Sequence, residues 1–235
     1  MRRVLALVVL FTASGGCAWI GSAKYRSYPE NPYPDLRTIA ILPFINRTDV
    51  PIDGAQFANT FASEMVKFGG FRVVRPAQIR AALQAGETVD TVEDAIELGR
   101  RVDADAILAA AVTDYDPYYP PRLALSVQLF RVRVRDSGPG DDLDRIVQVG
   151  SWRHIPFEIN DDRLKNVAAA FETMYDTHKD DVRSEVAAYS AAQETADYPY
   201  TEAGDEILNL QDRLWQFVSA RAIHQLIDLA RVHGR

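Results

Sequence analysis

The chain has one cysteine, Cys17, in 235 residues, so no internal disulfide can staple its fold. Its four histidines (His154, His178, His224 and His233) have no second histidine or cysteine at metal-ligand spacing, which argues against a zinc site. There is no Gly-x-Ser-x-Gly elbow, no Gly-x-Gly-x-x-Gly turn after a strand and no Walker loop. No catalytic residue, metal or cofactor is therefore expected. Positive charge is also in short supply, 26 Lys and Arg against 33 Asp and Glu, for a net charge of −7. Such an acidic chain has no electrostatic case for binding nucleic acid or for bulk attraction to anionic lipid. Beyond the N-terminus, no apolar run approaches the roughly 20 residues that span a bilayer.

What is present starts at the first residue. Met1-Arg2-Arg3 is a basic lead, Val4 to Phe11 is unbroken and apolar, and small residues run from Ala13 to Gly16 before Cys17. That order predicts a secretory signal peptide over 1–16. Ser14-Gly15-Gly16-Cys17 resembles the lipobox of bacterial lipoproteins, with Ser14 where the family prefers Leu. The resemblance implies cleavage before Cys17, acylation of that cysteine, and a membrane anchor on the periplasmic face of the envelope. Ala18 after the cysteine resembles the residue of lipoproteins sorted to the outer rather than the inner membrane. Losing Arg2 and Arg3 would take the charge to −9. Residues 17–36, with Tyr25, Tyr28, Tyr33 and three prolines but no period, read as the lipidated cysteine and an extended tether.

An α/β domain is expected over 37–155. Thr38 to Phe44 reads as a buried strand, Asn46 to Asp49 as a turn, and Asp53 as the cap of a helix carrying Phe57, Phe61, Met65 and Phe68. Gly69-Gly70 stops that helix, Phe71 to Val74 is a second strand, and Pro76 opens a short helix. Thr91 with Asp94 forms a capping box, and Ala106 to Val112 is a third strand. Strand and helix alternating this way call for a partly parallel sheet. Leu123, Leu125, Val127 and Leu129 then alternate, and the apolar phase moves to Phe130, Val132 and Val134, which predicts a bulge near Leu129–Phe130. Asp136 to Asp144 reads as a hairpin loop and Ile146 to Trp152 as the returning antiparallel strand. The expected fold is a mixed sheet of about five strands with flanking helices. A helical pair over 156–235 should pack on it: one helix from Leu164 to Ala192, with His178 on its apolar stripe, and one from about Asp205 to Val232, with Leu210 facing inward.

Three surface features remain. Asp136, Asp141, Asp142 and Asp144 crowd one loop but match no calcium-loop spacing, and read as a solvated turn. Arg131, Arg133 and Arg135 lie on one strand face, either to grip carboxylates or phosphates or to protect an edge. Tyr115, Tyr118 and Tyr119 belong to an aromatic-proline connection, Tyr115 to Pro121, which is either a contact surface or a loop packed on its own sheet.

Residues 38–136 resemble the α/β domain of a group of bacterial envelope lipoproteins. The group includes the curli secretion channel subunit, the lipoprotein activators of penicillin-binding proteins and the N-terminal domain of the Tol-Pal propeller protein. The resemblance lies in Ile39 to Thr48, in Gly70 to Pro76 and in Ala95 to Leu108. It implies a non-enzymatic protein that works by binding other envelope proteins as a scaffold, assembly or regulatory factor. Two alternatives stand beside it, a subunit of an oligomeric export channel and a periplasmic ligand-binding receptor. The single candidate membrane hairpin, 122–152, carries three arginines, each costing about 2–4 kcal/mol on a mid-bilayer lipid face, which argues against a pore.

Overall fold

The computed structural model describes residues 25, 28–84, 86–133, 156–159, 161–193 and 204–233. The expected signal peptide, Cys17, Arg135, the aspartate loop and Ile146 to Trp152 lie outside the described residues. Strand β1 (Thr38–Ile41) leads through the two-residue β2 (Ile45–Asn46) to helix α1 (Gly54–Met65). Strand β3 (Arg72–Val74), helix α2 (Pro76–Ala82), helix α3 (Val92–Arg101) and strand β4 (Ala106–Asp116) follow. Strand β5 (Arg122–Arg131), helix α4 (Asp161–Leu164) and strand β6 (Val167–Asp176) come next. Helices α5 (Asp180–Ala192), α6 (Asp205–Asn209) and α7 (Gln211–His233) complete the described elements. The sheet runs β3-β1-β4-β5-β6, with β2 alongside β4. Its β3/β1, β1/β4 and β2/β4 pairs are parallel, and β4/β5 and β5/β6 are antiparallel. The mixed α/β fold is the expected one.

Local chemistry explains the opening half. Asn46 Oδ1 accepts from the Thr48 amide at 2.9 Å and Asn46 Nδ2 donates to the Val50 carbonyl at 2.8 Å, which turns the chain after β2. Asp53 Oδ1 accepts from the amides of Ala55 and Gln56 and so caps α1. Gly70 ends that turn of chain at φ 85°, a conformation free of penalty only for glycine. Thr91 and Asp94 cap α3 reciprocally. Asp103 then takes a left-handed φ of 50°, and the Asp105 carboxylate accepts from the amides of Arg37 and Thr38 at the head of β1.

Both faces of the sheet are covered. Ile39, Ile41, Leu108, Leu123, Leu125, Val127 and Leu129 face α1, α5 and α7 in the larger core. Ala40, Leu42, Ile107, Ala109, Phe130 and Val132 face α2, α3 and Phe157 in the second. This corrects the account of the phase change in β5. Leu129 and Phe130 alternate normally and belong to opposite cores, so both sets are apolar. The register does slip at Leu129/Phe130, but in the pairing with β6, where Leu129 opposes Ala169, Phe130 opposes Val167, and Ala168 is the extra residue. Along 122–131 the antiparallel partners are β4 and β6, not Ile146 to Trp152, so this stretch is no free arm of a membrane hairpin.

Further expectations are corrected. The predicted helix Leu164–Ala192 is instead β6, a turn and α5. Ala168, Ala169 and Ala170 favour a helix, but β6 gives Ala169 and Phe171 to one core and Ala170 to the other, and tertiary burial overrides propensity. His178, expected at a core or boundary position, sits in the exposed turn after β6 with Nδ1 3.0 Å from Asp176 Oδ1. Strand β4 runs on to Asp116, so the aromatic-proline connection begins at Pro117 and Tyr115 belongs to the sheet. Leu210, expected to face inward, is half exposed where α6 meets α7. The segment read as a tether is also packed in part, because Tyr25, Tyr33 and Leu36 are buried in the larger core. Region 156–235 adds a central core helix and a sheet strand, so it shares one core with 37–155.

Candidate interaction surface

Tyr118 and Tyr119, at 81% and 57% exposure, stand out from the connection between β4 and β5. The loop is held from both sides. Asp116 Oδ1 accepts from the Tyr118 amide at 3.1 Å, and Arg122 pairs with Asp114 at 2.9 Å across the hairpin. Thr177 Oγ1 donates to the Pro121 carbonyl at 2.5 Å. Prolines at 117, 120 and 121 remove further backbone freedom. The two rings are thus presented by a preorganised loop, which lowers the entropy lost on binding.

Beside the loop lies a groove of 250 Å³ where the end of the hairpin meets α6 and α7, bordered by Tyr115, Pro117, Pro121, Leu208 and Leu210. Leu210 adds a third exposed apolar side chain at its rim. Tyr115 itself is buried, and its hydroxyl is hydrogen-bonded to Gln211 at the start of α7. Burial raises its pKa above the ordinary phenol value, so the hydroxyl stays protonated. Tyr115 therefore positions α7 against the hairpin, while Tyr118 and Tyr119 face solvent. Of the three tyrosines picked out in the sequence, two are exposed and one is buried behind them.

The arginines do not join them. Arg131 lies eight residues along β5 from Leu123, the partner of Tyr115, which is roughly 26 Å at strand rise. Its Nε is 3.3 Å from Asp35, and its backbone exchanges hydrogen bonds with Asn166. Arg133 pairs with exposed Asp103 at 3.0 Å. Arg131 fastens the N-terminal segment to the sheet, and the two described arginines bind separate acids.

A second cavity, 230 Å³ and largely apolar, opens past the carboxyl end of β1 between α2 and Phe157. Leu42, Ile79, Leu83 and Val89 line it, with Thr88 the one polar side chain. Among the described residues no three His, Cys, Asp or Glu side chains gather as a metal site, and no helix is long and apolar enough to cross a membrane. Sequence reasoning missed Leu210 and the docking of Tyr25. The break between α6 and α7 left no sequence mark, whereas three tyrosines within nine residues of a supposed spacer were a legible sign of burial.

No family model and no curated protein matches the chain. Solved structures do. The LpoB C-terminal domain from Salmonella enterica is 21% identical over 41% of this chain and 73% of its own, with a TM-score of 0.35. Lipoprotein GNA1162 from Neisseria meningitidis is 23% identical over 41% and 70%, with a TM-score of 0.32. A PelC dodecamer from Paraburkholderia phytofirmans is 17% identical over 45% and 67%, with a TM-score of 0.29.

Proposed function

We propose that this chain is a lipid-anchored, periplasm-facing envelope protein that acts without catalysis, as a scaffold or assembly factor through protein–protein contacts. The anchor rests on the signal-like N-terminus and on Cys17 in its lipobox-like setting. The observation that carries the contact reading is the pair Tyr118 and Tyr119, held in solvent by a clamped loop beside an apolar groove. Rigid exposed tyrosines next to a pocket are what protein interfaces use as anchors. LpoB, GNA1162 and PelC are the kinds of protein this reading would place beside it.

The test is affinity purification of the tagged full-length protein from detergent-solubilised membranes of its own host, with and without Tyr118→Ser/Tyr119→Ser. Both side chains are exposed, so the double variant should fold and unfold as the wild type does. It is expected to lose the proteins that the wild type retains. Retention of the same set would remove this surface from the proposal, and a ring-sized particle without partners would favour the channel reading. Cys17→Ser is expected to move the protein from the membrane to the soluble fraction.

A further inference from the structure

Tyr25 lies only eight residues after Cys17, yet it is 1% exposed and belongs to the larger core. Its ring meets Tyr189 of α5 edge-on at 5.3 Å and His224 of α7 at 5.4 Å. Its hydroxyl lies 3.5 Å from Glu185, which also pairs with Arg221 at 2.7 Å. The segment then stays docked. Tyr28 packs on Phe68 at 5.1 Å, the Asn31 amide donates to Gly69, and Tyr33 donates to the Leu226 carbonyl at 3.1 Å. These contacts fall at one end of the helical layer, where α1 finishes and α7 runs from its middle onward.

The Tyr118–Tyr119 surface is at the other end. It adjoins Leu210 at the head of α7, fourteen residues before His224, or about 21 Å of helix. Residues 18–24 are all that separates the lipidated cysteine from Tyr25, and eight residue steps reach at most about 28 Å. A compact domain of this size is about 40 Å across. A strap shorter than the domain, leaving from one face, keeps that face toward the membrane. Val66, 56% exposed, closes α1 at the same end, an apolar side chain that suits a lipid interface.

We infer that docking of Tyr25 fixes the orientation of the domain, with the α5/α7 face around Tyr25 against the bilayer and the Tyr118–Tyr119 surface directed away from it. The inference rests on the proposed anchor at Cys17 and adds to it which side of the protein is left for partners. The device is steric: a short strap pinned in the core, in place of a long flexible tether.

The experiment uses full-length acylated protein in vesicles of phosphatidylethanolamine and phosphatidylglycerol carrying a headgroup nitroxide. A fluorophore is placed by Asp228→Cys, an exposed position on the second half of α7, or by Tyr118→Cys. Acylation blocks Cys17, so only the introduced thiol reacts. Quenching is expected to be several-fold stronger at 228 than at 118. A flexible Gly-Ser insert of about 40 residues between Cys17 and Tyr25, with a root-mean-square span of about 35 Å, should abolish the difference while leaving the Tyr25 contacts intact. Equal quenching in the parent protein overturns the inference, and so does a difference that survives the insert. Mass analysis of the N-terminal peptide separates the two failures. An unmodified Cys17 removes the anchor itself, whereas acylation with equal quenching removes only the orientation.

Discussion

Gly54 opens α1 so close to Phe44 that a Cβ would overlap the Phe44 carbonyl oxygen, and its own carbonyl accepts from the Phe44 amide at 3.0 Å. Gly54→Ala must push the helix off the chain after β1, and is expected to cost about 1–3 kcal/mol in urea unfolding. Glu64 shows a different constraint. It is buried, and burial raises its pKa above the ordinary carboxyl value, opposed by hydrogen bonds from Lys67 at 2.7 and 2.8 Å and from Tyr189. The folded protein therefore keeps this proton to higher pH than the unfolded chain does. That contribution to stability is complete below about pH 4.5, the ordinary carboxyl value, and is lost as pH rises through the folded pKa. Unfolding of Glu64→Gln, followed from acid toward neutrality, is expected to gain stability relative to wild type as pH rises. A constant difference would mean that the carboxyl is ionised at no extra cost.

At the scale of elements, β6 is the instructive case. Leu164, Val167, Phe171, Met174, Tyr175 and His178 have helical spacing, and three consecutive alanines add helix propensity. In the fold the same residues complete the sheet, because β5 needs an antiparallel neighbour and both sheet faces need small side chains there. Met174, on the supposed apolar stripe, is 47% exposed as a result. The isolated peptide 161–193 is expected to show helical circular dichroism in aqueous trifluoroethanol across the β6 sequence. A strand spectrum there would mean that the preference is local after all.

For the whole molecule, the N-terminal segment counts as part of the domain. A chain begun at Arg37 loses Tyr25, Tyr33 and Leu36 from the core and uncovers α7. At roughly 1.5–3 kcal/mol for each buried side chain, it is expected to be less stable than a chain begun at Lys24 by about 5 kcal/mol, measured by denaturant midpoint. Through α7 the same contacts link the N-terminal segment, docked at its second half, to the groove at its head.

The sequence by itself determined the opening order of strand and helix, the caps at Asp53 and Thr91, the stop at Gly70 and the mixed sheet. Each of these depends on neighbours a few residues away: a carboxylate within reach of the next amides, a glycine where φ must be positive, apolar residues at a fixed period. It also marked Tyr118 and Tyr119, because aromatics between prolines are conspicuous wherever they fall. The tertiary structure alone decided that an alanine-rich helix former would be a strand and that Phe130 would face a second core. It alone turned Tyr115 inward and Leu210 outward, divided Arg131 from Arg133, and drew Tyr25 into the core. Those outcomes depend on what lies across the sheet or across α7, from 30 to nearly 200 residues away in the chain, and no local period records such distant partners.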